Sequence, residues 1–199
     1  MKNVVLLSGG LDSTTALAMA CQEEGELPLA VSFRYGSRHQ DAEINAARKV
    51  AKYYDVKHDV MTVPDVYRNS ESALFGTALM PEEEYETEGP SPTVVPFRNG
   101  LFISLATILA DAHGAERVWI SNHASDYNHW AYPDCSPEFV GAMANAMYVA
   151  TQGAIRLHYP FLWMCKGEII ELACALNVPV ELTWSCYKGG VKHCGVCPT

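Results

Sequence analysis

Positive charge is scarce in this chain. Fourteen lysines and arginines face 23 aspartates and glutamates, giving a formal net charge of −9 at pH 7. Binding to phosphate backbones is driven by Lys and Arg displacing condensed counterions, so this balance argues against direct contact with nucleic acid. Long apolar runs are missing too. Nothing approaches the roughly 20 residues of a membrane-crossing helix, and the opening residues lack the basic and apolar regions of a secretory leader. A cytoplasmic protein without a membrane partner is therefore expected. There is no internal repeat. Two familiar nucleotide-loop signatures are also absent: no Lys-Ser/Thr pair follows the early glycines, and no three spaced glycines make a dinucleotide fingerprint.

What the early chain does contain is Val4-Val-Leu-Leu-Ser-Gly-Gly-Leu-Asp-Ser-Thr-Thr15, an apolar run, a small-residue turn and a helix start. Gly9 and Gly10 lack Cβ, so the backbone can turn with positive φ and bring its amides against an anion. Helix amides from Asp12 onward add a partial positive end at the same place. The hydroxyls of Ser8, Ser13, Thr14 and Thr15 are candidate phosphate donors, and Asp12 suits Mg²⁺ or helix capping. A plain strand-to-helix turn would need less than two glycines followed by four capping-type residues. The segment resembles the Ser-Gly-Gly-x-Asp-Ser pyrophosphate loop of the ATP pyrophosphatase superfamily. That resemblance implies ATP cleaved between its α and β phosphates.

The 199 residues suffice for one α/β domain and are too few for two ordinary ones. Ala16, Leu17, Ala20 and Cys21 give a helical stripe ending near Gly25, and Leu27 to Phe33 reads as a second strand. A further helix follows over Ile44, Ala47, Ala51 and Tyr54, then a strand from Lys57 to Val63. This alternation predicts a parallel sheet with helices on both faces. Pro64 to Pro96 breaks the rhythm and carries Glu82, Glu83, Glu84, Glu86 and Glu88, which reads as a mobile loop or lid with a solvated acidic surface. Beyond it, helices are expected over about Asn99 to His113, Pro137 to Thr151 and Lys166 to Leu176. Strands are expected over Arg117 to Ser121 and Ile155 to Tyr159. Ser136 and Pro137 occupy N-cap and first-helical positions. In such sheets ligands bind beyond the carboxyl ends of the strands, where the pyrophosphate loop, the segment from Arg34 to His39 and the segment after Ser121 should converge.

Cysteine, by contrast, is plentiful: there are seven. In a reducing compartment closely spaced cysteines are read first as metal ligands or reactive thiols. Cys186-x7-Cys194-x2-Cys197, with Gly189, Gly190 and Gly195 interspersed, has the look of a tetrahedral Zn²⁺ site. A closed site needs a fourth ligand. His193, an exogenous group or a residue past Thr199 are the choices, and reduced surface thiols are the alternative reading.

Five stretches taken together resemble the 7-cyano-7-deazaguanine synthase (QueC) family. They are Leu7 to Thr15, Tyr35-Gly-Ser-Arg-His39, Val95-Pro-Phe-Arg-Asn99, Tyr132-Pro-Asp-Cys135, and Thr183-Trp-Ser-Cys-Tyr187 with the cysteines after it. They run in the family's order across nearly the whole chain. The resemblance implies a Rossmann-like, adenine nucleotide alpha hydrolase-like fold: one domain over 1–199, ending in a small zinc-binding segment over 183–199. It also implies a reaction, in which ATP activates the carboxylate of 7-carboxy-7-deazaguanine, ammonia displaces the activating group to give an amide, and the amide is dehydrated to the nitrile. ATP, Mg²⁺ and Zn²⁺ are the implied cofactors and a homodimer the implied assembly.

Carried over residue by residue, the resemblance assigns ATP to Leu7, Ser8, Gly9, Gly10, Leu11, Asp12, Ser13, Thr14, Thr15, Ala16 and Leu17. Asp12, Ser13, Arg38 and Lys166 are the candidate catalytic residues. Arg38 suits bidentate contact with phosphate or carboxylate, as against a surface role like that open to Arg34. Lys166 is a candidate phosphate contact or an exposed helix lysine. Arg98, Asn99, Asp126, Tyr132 and Asp134 are candidate base-binding residues, with Tyr127 and Trp130 as further stacking groups. His123, Asp126 and His129 also have a spacing a second metal could use. Cys186, Cys194 and Cys197 are the zinc candidates.

Three departures stand out. Phe97 stands where the family usually has Gly, Ser136 where it has Arg, and the family's fourth zinc cysteine would fall just past Thr199, as in a truncated or divergent C-terminus. The first two bear on substrate choice and on whether the product stops at the amide. Two other readings remain at this point, a transfer RNA thiolase of the same superfamily and a non-catalytic nucleotide-binding subunit.

Overall fold

The structure is a computed structural model and describes residues 1–75, 89–127, 131–188, 190 and 192–195. Among them, five strands form one parallel sheet: β1 (Asn3–Leu6), β2 (Leu29–Arg34), β3 (Lys57–Thr62), β4 (Arg117–Trp119) and β5 (Arg156–His158). Their order is β3-β2-β1-β4-β5. The helices are α1 (Leu11–Gln22), α2 (Gln40–Tyr53), α3 (Arg98–Ala112), α4 (Ala124–Tyr127), α5 (Pro137–Ala150) and α6 (Lys166–Ala175).

A strand covered on both faces reads as a continuous apolar run, because neighbouring side chains enter opposite cores. β1 does this. Val4 joins Ile103 and Ala106 of α3 and Val140 and Met147 of α5 on one face. Val5 and Leu7 join Leu17 of α1, Ala47 and Val50 of α2 and Ile169 of α6 on the other. The expected helices on both faces are therefore present. Predicted boundaries differ from the observed ones by a residue or two at most ends; Leu27 lies outside β2 and is exposed.

α5 starts where the sequence places it. The Phe139 amide donates to Ser136 Oγ at 3.1 Å, and Pro137 takes the first helical position. The stretch after β3 is less solvated than expected. Ser72, Ala73 and Leu74 are buried, as are Ser91, Thr93 and Val95. The Arg38 amide donates to the Leu74 carbonyl at 3.0 Å and the Ala73 amide to that of Pro92 at 2.8 Å. Its flanks thus belong to the domain, while Glu82, Glu83, Glu84, Glu86 and Glu88 lie outside the described residues. The sheet order reverses between β1 and β4, which opens a crevice beyond their carboxyl ends.

Candidate active site

The loop leaving β1 is held by its own atoms. Gly9 has φ +86°, a region that favours glycine, and a Cβ there would lie 2.5 Å from the Glu43 carbonyl oxygen and 2.7 Å from the Ala47 nitrogen. The loop can press against α2 only because this residue has no side chain. The Thr14 amide makes the first helical bond, to the Gly10 carbonyl at 3.0 Å, so the amides of Leu11, Asp12 and Ser13 have no intrahelical partner. Such a helix start attracts anions. Ser13 Oγ donates to the Gly10 carbonyl at 3.1 Å and accepts from the Ser8 amide at 3.2 Å, while Ser8 Oγ sits 3.0 Å away. Thr14 and Thr15 are fully buried and donate to the carbonyls of Gly10 and Leu11, at 2.8 Å each. Their hydroxyls, expected to face phosphate, are engaged inside α1. With buried Ala16 and Leu17 they anchor the helix, and Ser8 is the loop hydroxyl at the surface.

Four polar side chains meet at the mouth of this loop. Lys166, the first residue of α6, places Nζ 2.8 and 2.6 Å from the two carboxylate oxygens of Asp12. Buried His123, just past β4, has Nε2 3.4 Å from Asp12 and 3.4 Å from Asp126. Burial alone would raise the Asp12 pKa, but the hydrogen bond from His123 and the Lys166 ammonium outweigh it and hold the carboxyl below its ordinary 3.8. Asp126 goes the other way, because its burial outweighs the pull of His123.

The opposite wall is built around Arg98 and Asn99 at the start of α3. The Asn99 amide donates to the Asp134 carboxylate at 3.0 Å, so Asp134 caps this helix. Asn99 Nδ2 and Asn122 Nδ2 each donate to the Asp134 carbonyl oxygen at 3.2 Å and reach Cys135 Sγ at 3.4 and 3.3 Å. Cys135 is buried, which pushes its thiol pKa well up. Arg98 lies within electrostatic reach of Tyr35, Tyr187, Asp134 and Cys135; burial disfavours its charge, but these neighbours hold it as a cation. The Tyr132 and Thr93 hydroxyls share a 2.6 Å hydrogen bond, which fixes the tyrosine ring. Phe97, before Arg98, has φ +55°, a left-handed backbone that favours glycine.

Other candidates are placed less directly. Arg38 is half-buried and its Nη2 donates to the Phe75 carbonyl at 3.2 Å. Arg34 pairs with Asp41 at 2.6 Å. His39 is buried beside the Tyr187 ring, centroids 5.1 Å apart, and burial followed by Arg98 and Arg38 lowers its pKa to about 4. Asn122 and Glu43 were not singled out from sequence. Asn122 lies in the loop after β4, where polar residues are common, and Glu43 sits where first-turn acids are routine.

The C-terminal segment reaches back to the loop. The Trp184 amide donates to the Gly9 carbonyl at 2.8 Å, and Trp184 Nε1 to the Cys186 carbonyl at 2.8 Å. Cys186 is buried, and the Cys194 amide donates to its Sγ at 3.3 Å. His193 lies against the Trp184 ring, centroids 4.5 Å apart. Cys197, His129 and Trp130 lie outside the described residues. Among the described residues no helix is long and apolar enough to cross a membrane.

Comparison with known proteins bears on these walls together. The family model described as "Queuosine biosynthesis protein QueC" matches residues 2–199. A 7-cyano-7-deazaguanine synthase of Desulfotalea psychrophila is 39% identical over 196 residues, covering 98% of this chain and 88% of that protein. One from Methanoculleus marisnigri is 43% identical over 201 residues, covering 98% and 89%. Among solved structures, NMN synthetase from Francisella tularensis superposes with a TM-score of 0.57 at 16% identity, over 96% of this chain and 69% of that one. The U34-tRNA thiolase NcsA of Methanococcus maripaludis gives 0.56 at 14%, over 94% and 63%. At these identities the solved structures speak for the fold alone.

Proposed function

Because the chain belongs to the queuosine biosynthesis protein QueC family, we infer that its crevice converts 7-carboxy-7-deazaguanine to 7-cyano-7-deazaguanine at the expense of ATP. The protein is a carbon–nitrogen ligase acting on a small molecule. The observation that carries the detailed reading is the Asp12–Lys166 pair at the mouth of a helix start with free amides. A carboxylate resists attack by ammonia until its oxygen becomes a good leaving group, which adenylation supplies. Ser8, the amides of Leu11 to Ser13 and Lys166 would bind and orient the phosphates, and the same donors would stabilise charge on departing pyrophosphate. Asp12 would hold Lys166 in place. Arg98, kept cationic by its neighbours, would draw the substrate carboxylate towards that phosphate, and Asp126, Tyr132 and Asp134 would line the base. We place Ser13 and Arg38 as supports, the first inside the phosphate loop and the second against the Leu74–Phe75 backbone.

Two metals belong to this reading. Asp12 is ionised but has Lys166 on both oxygens, so Mg²⁺ would share it with that lysine and with phosphate oxygens. When bound, Mg²⁺ would neutralise the leaving pyrophosphate. The buried Cys186 sulfur, already accepting the Cys194 amide, fits a thiolate ligand, and Zn²⁺ held by Cys186, Cys194 and Cys197 would staple the last segment together. The reading extends to a cytoplasmic homodimer with no direct nucleic-acid partner.

Mass spectrometry after incubation with ATP, Mg²⁺, ammonium and 7-carboxy-7-deazaguanine tests it. Masses of the amide and then the nitrile are expected, and an unchanged substrate would sink the reading. Elemental analysis of unchelated protein should find about one zinc per chain, lost when Cys194 and Cys197 are both substituted.

A further inference from the structure

Among the described residues, four carboxylates concern the crevice, and three are already occupied. Asp12 is held by Lys166, Asp126 lies beside His123, and Asp134 caps α3. Glu43 differs. In the first turn of α2, its side chain is half-buried, and its nearest partner among the described residues is His39 Nε2 at 3.5 Å. His39 is a poor counter-charge, being buried and neutral, with Nδ1 unpartnered. The groups within electrostatic reach of Glu43 from other elements are Tyr35 just past β2, Arg98 of α3 and Tyr187 of the C-terminal segment. A carboxylate partly withdrawn from water with one distant partner is costly to keep charged. The strain registers as a carboxyl pushed up to about 7 by burial, only partly offset by Arg98. Both carboxylate oxygens can still accept from a donor brought by a ligand.

We propose that Glu43 accepts the two adjacent N–H groups of the amino-pyrimidinone edge of the substrate's base, N1–H and the 2-amino group, and so selects a guanine-like ring. Carboxylates recognise paired N–H donors through their two oxygens, and a buried site built for such donors strongly rejects an analogue lacking one. Glu43 would repel the substrate carboxylate and the ATP phosphates, so only the edge of the base that carries N–H groups can face it. Arg98 stands near it with the opposite preference. The proposal rests on the deazaguanine reading above, and its test separates the two.

Binding to the unmodified protein is measured by titration calorimetry at pH 7, in two buffers of different ionisation enthalpy, without ATP. The probes are 7-carboxy-7-deazaguanine and the same compound without its 2-amino group. The first should bind about 100-fold more tightly and release roughly half a proton, since a carboxyl near 7 is half protonated there and must ionise to accept both N–H groups. In Glu43→Gln that preference should shrink to a few-fold and the proton release should vanish. A variant that keeps the preference would overturn the proposal while leaving the reaction intact. If the variant does not fold, the unmodified protein decides, because equal binding of both probes without proton release would overturn it too. Failure of the unmodified protein to bind or convert the first probe would instead refute the deazaguanine reading.

Discussion

The phosphate loop and the wall facing it solve the same problem, holding polar groups ready for a ligand, by opposite means. In the loop, Ser8, Gly10, Ser13 and Thr14 bond to one another across at most five residues. In the wall, Asn99 meets Asp134 and Cys135 across 35 and 36 residues of chain, and Asn122 meets Cys135 across 13. A loop of the first kind is dictated by its own backbone and tolerates little change. A wall of the second kind exists only once the sheet has brought β4 beside β1, and each of its members can be altered at modest cost.

That contrast can be broken, beginning with the loop. Gly9→Ala forces a side chain into the Glu43 and Ala47 backbone at a positive φ, so a loss of about 2–5 kcal/mol in stability and near-complete loss of turnover are expected. Thermal unfolding and steady-state rates check this; an active, stable variant would show that the loop relaxes. Asp12→Asn should cost about 10²–10³-fold in kcat by releasing Lys166. The same change has a pH signature. A carboxyl held below 3.8 in the fold contributes stability that is full above its unfolded value and is lost as pH falls through the folded one. The acid limb of a stability–pH profile should therefore flatten in Asp12→Asn, and an unchanged limb would contradict the ion pair.

In the wall, Asp134→Ala removes the cap on α3 and should cost about 1 kcal/mol in denaturant titration, with a larger effect on KM than on kcat. A loss comparable to that of Gly9→Ala would erase the distinction between the two regions. The smallest effect is expected at Phe97. Its left-handed backbone stores about 1 kcal/mol, so Phe97→Gly should raise the unfolding midpoint slightly. A fall would mean that its edge-on contact with Phe139, centroids 5.8 Å apart, outweighs the strain.

The same contrast explains what could be read from sequence. Strands, helices and the loop follow from periodicity and local chemistry, as Ser136 and Pro137 illustrate at the start of α5. Ser136 has a local role there, since its hydroxyl caps that helix. Thr14 and Thr15 show a choice the sequence leaves open: a hydroxyl near a helix start can donate to a ligand or back to a carbonyl, and here both donate to carbonyls. The role of Asp134 as a cap is not legible in the sequence, because the amide it serves belongs to a distant helix. Glu43 was invisible for a related reason: what distinguishes it is the absence of a donor in three dimensions.

The bond from the Trp184 amide to the Gly9 carbonyl carries a consequence for how the enzyme comes into being. During synthesis the phosphate loop emerges early, yet the chain that clasps its back is made much later. A contact spanning so much sequence adds to the chain-closure entropy that slows folding. Nascent chains should therefore gain nucleotide affinity late and abruptly, so that unfinished molecules do not sequester ATP.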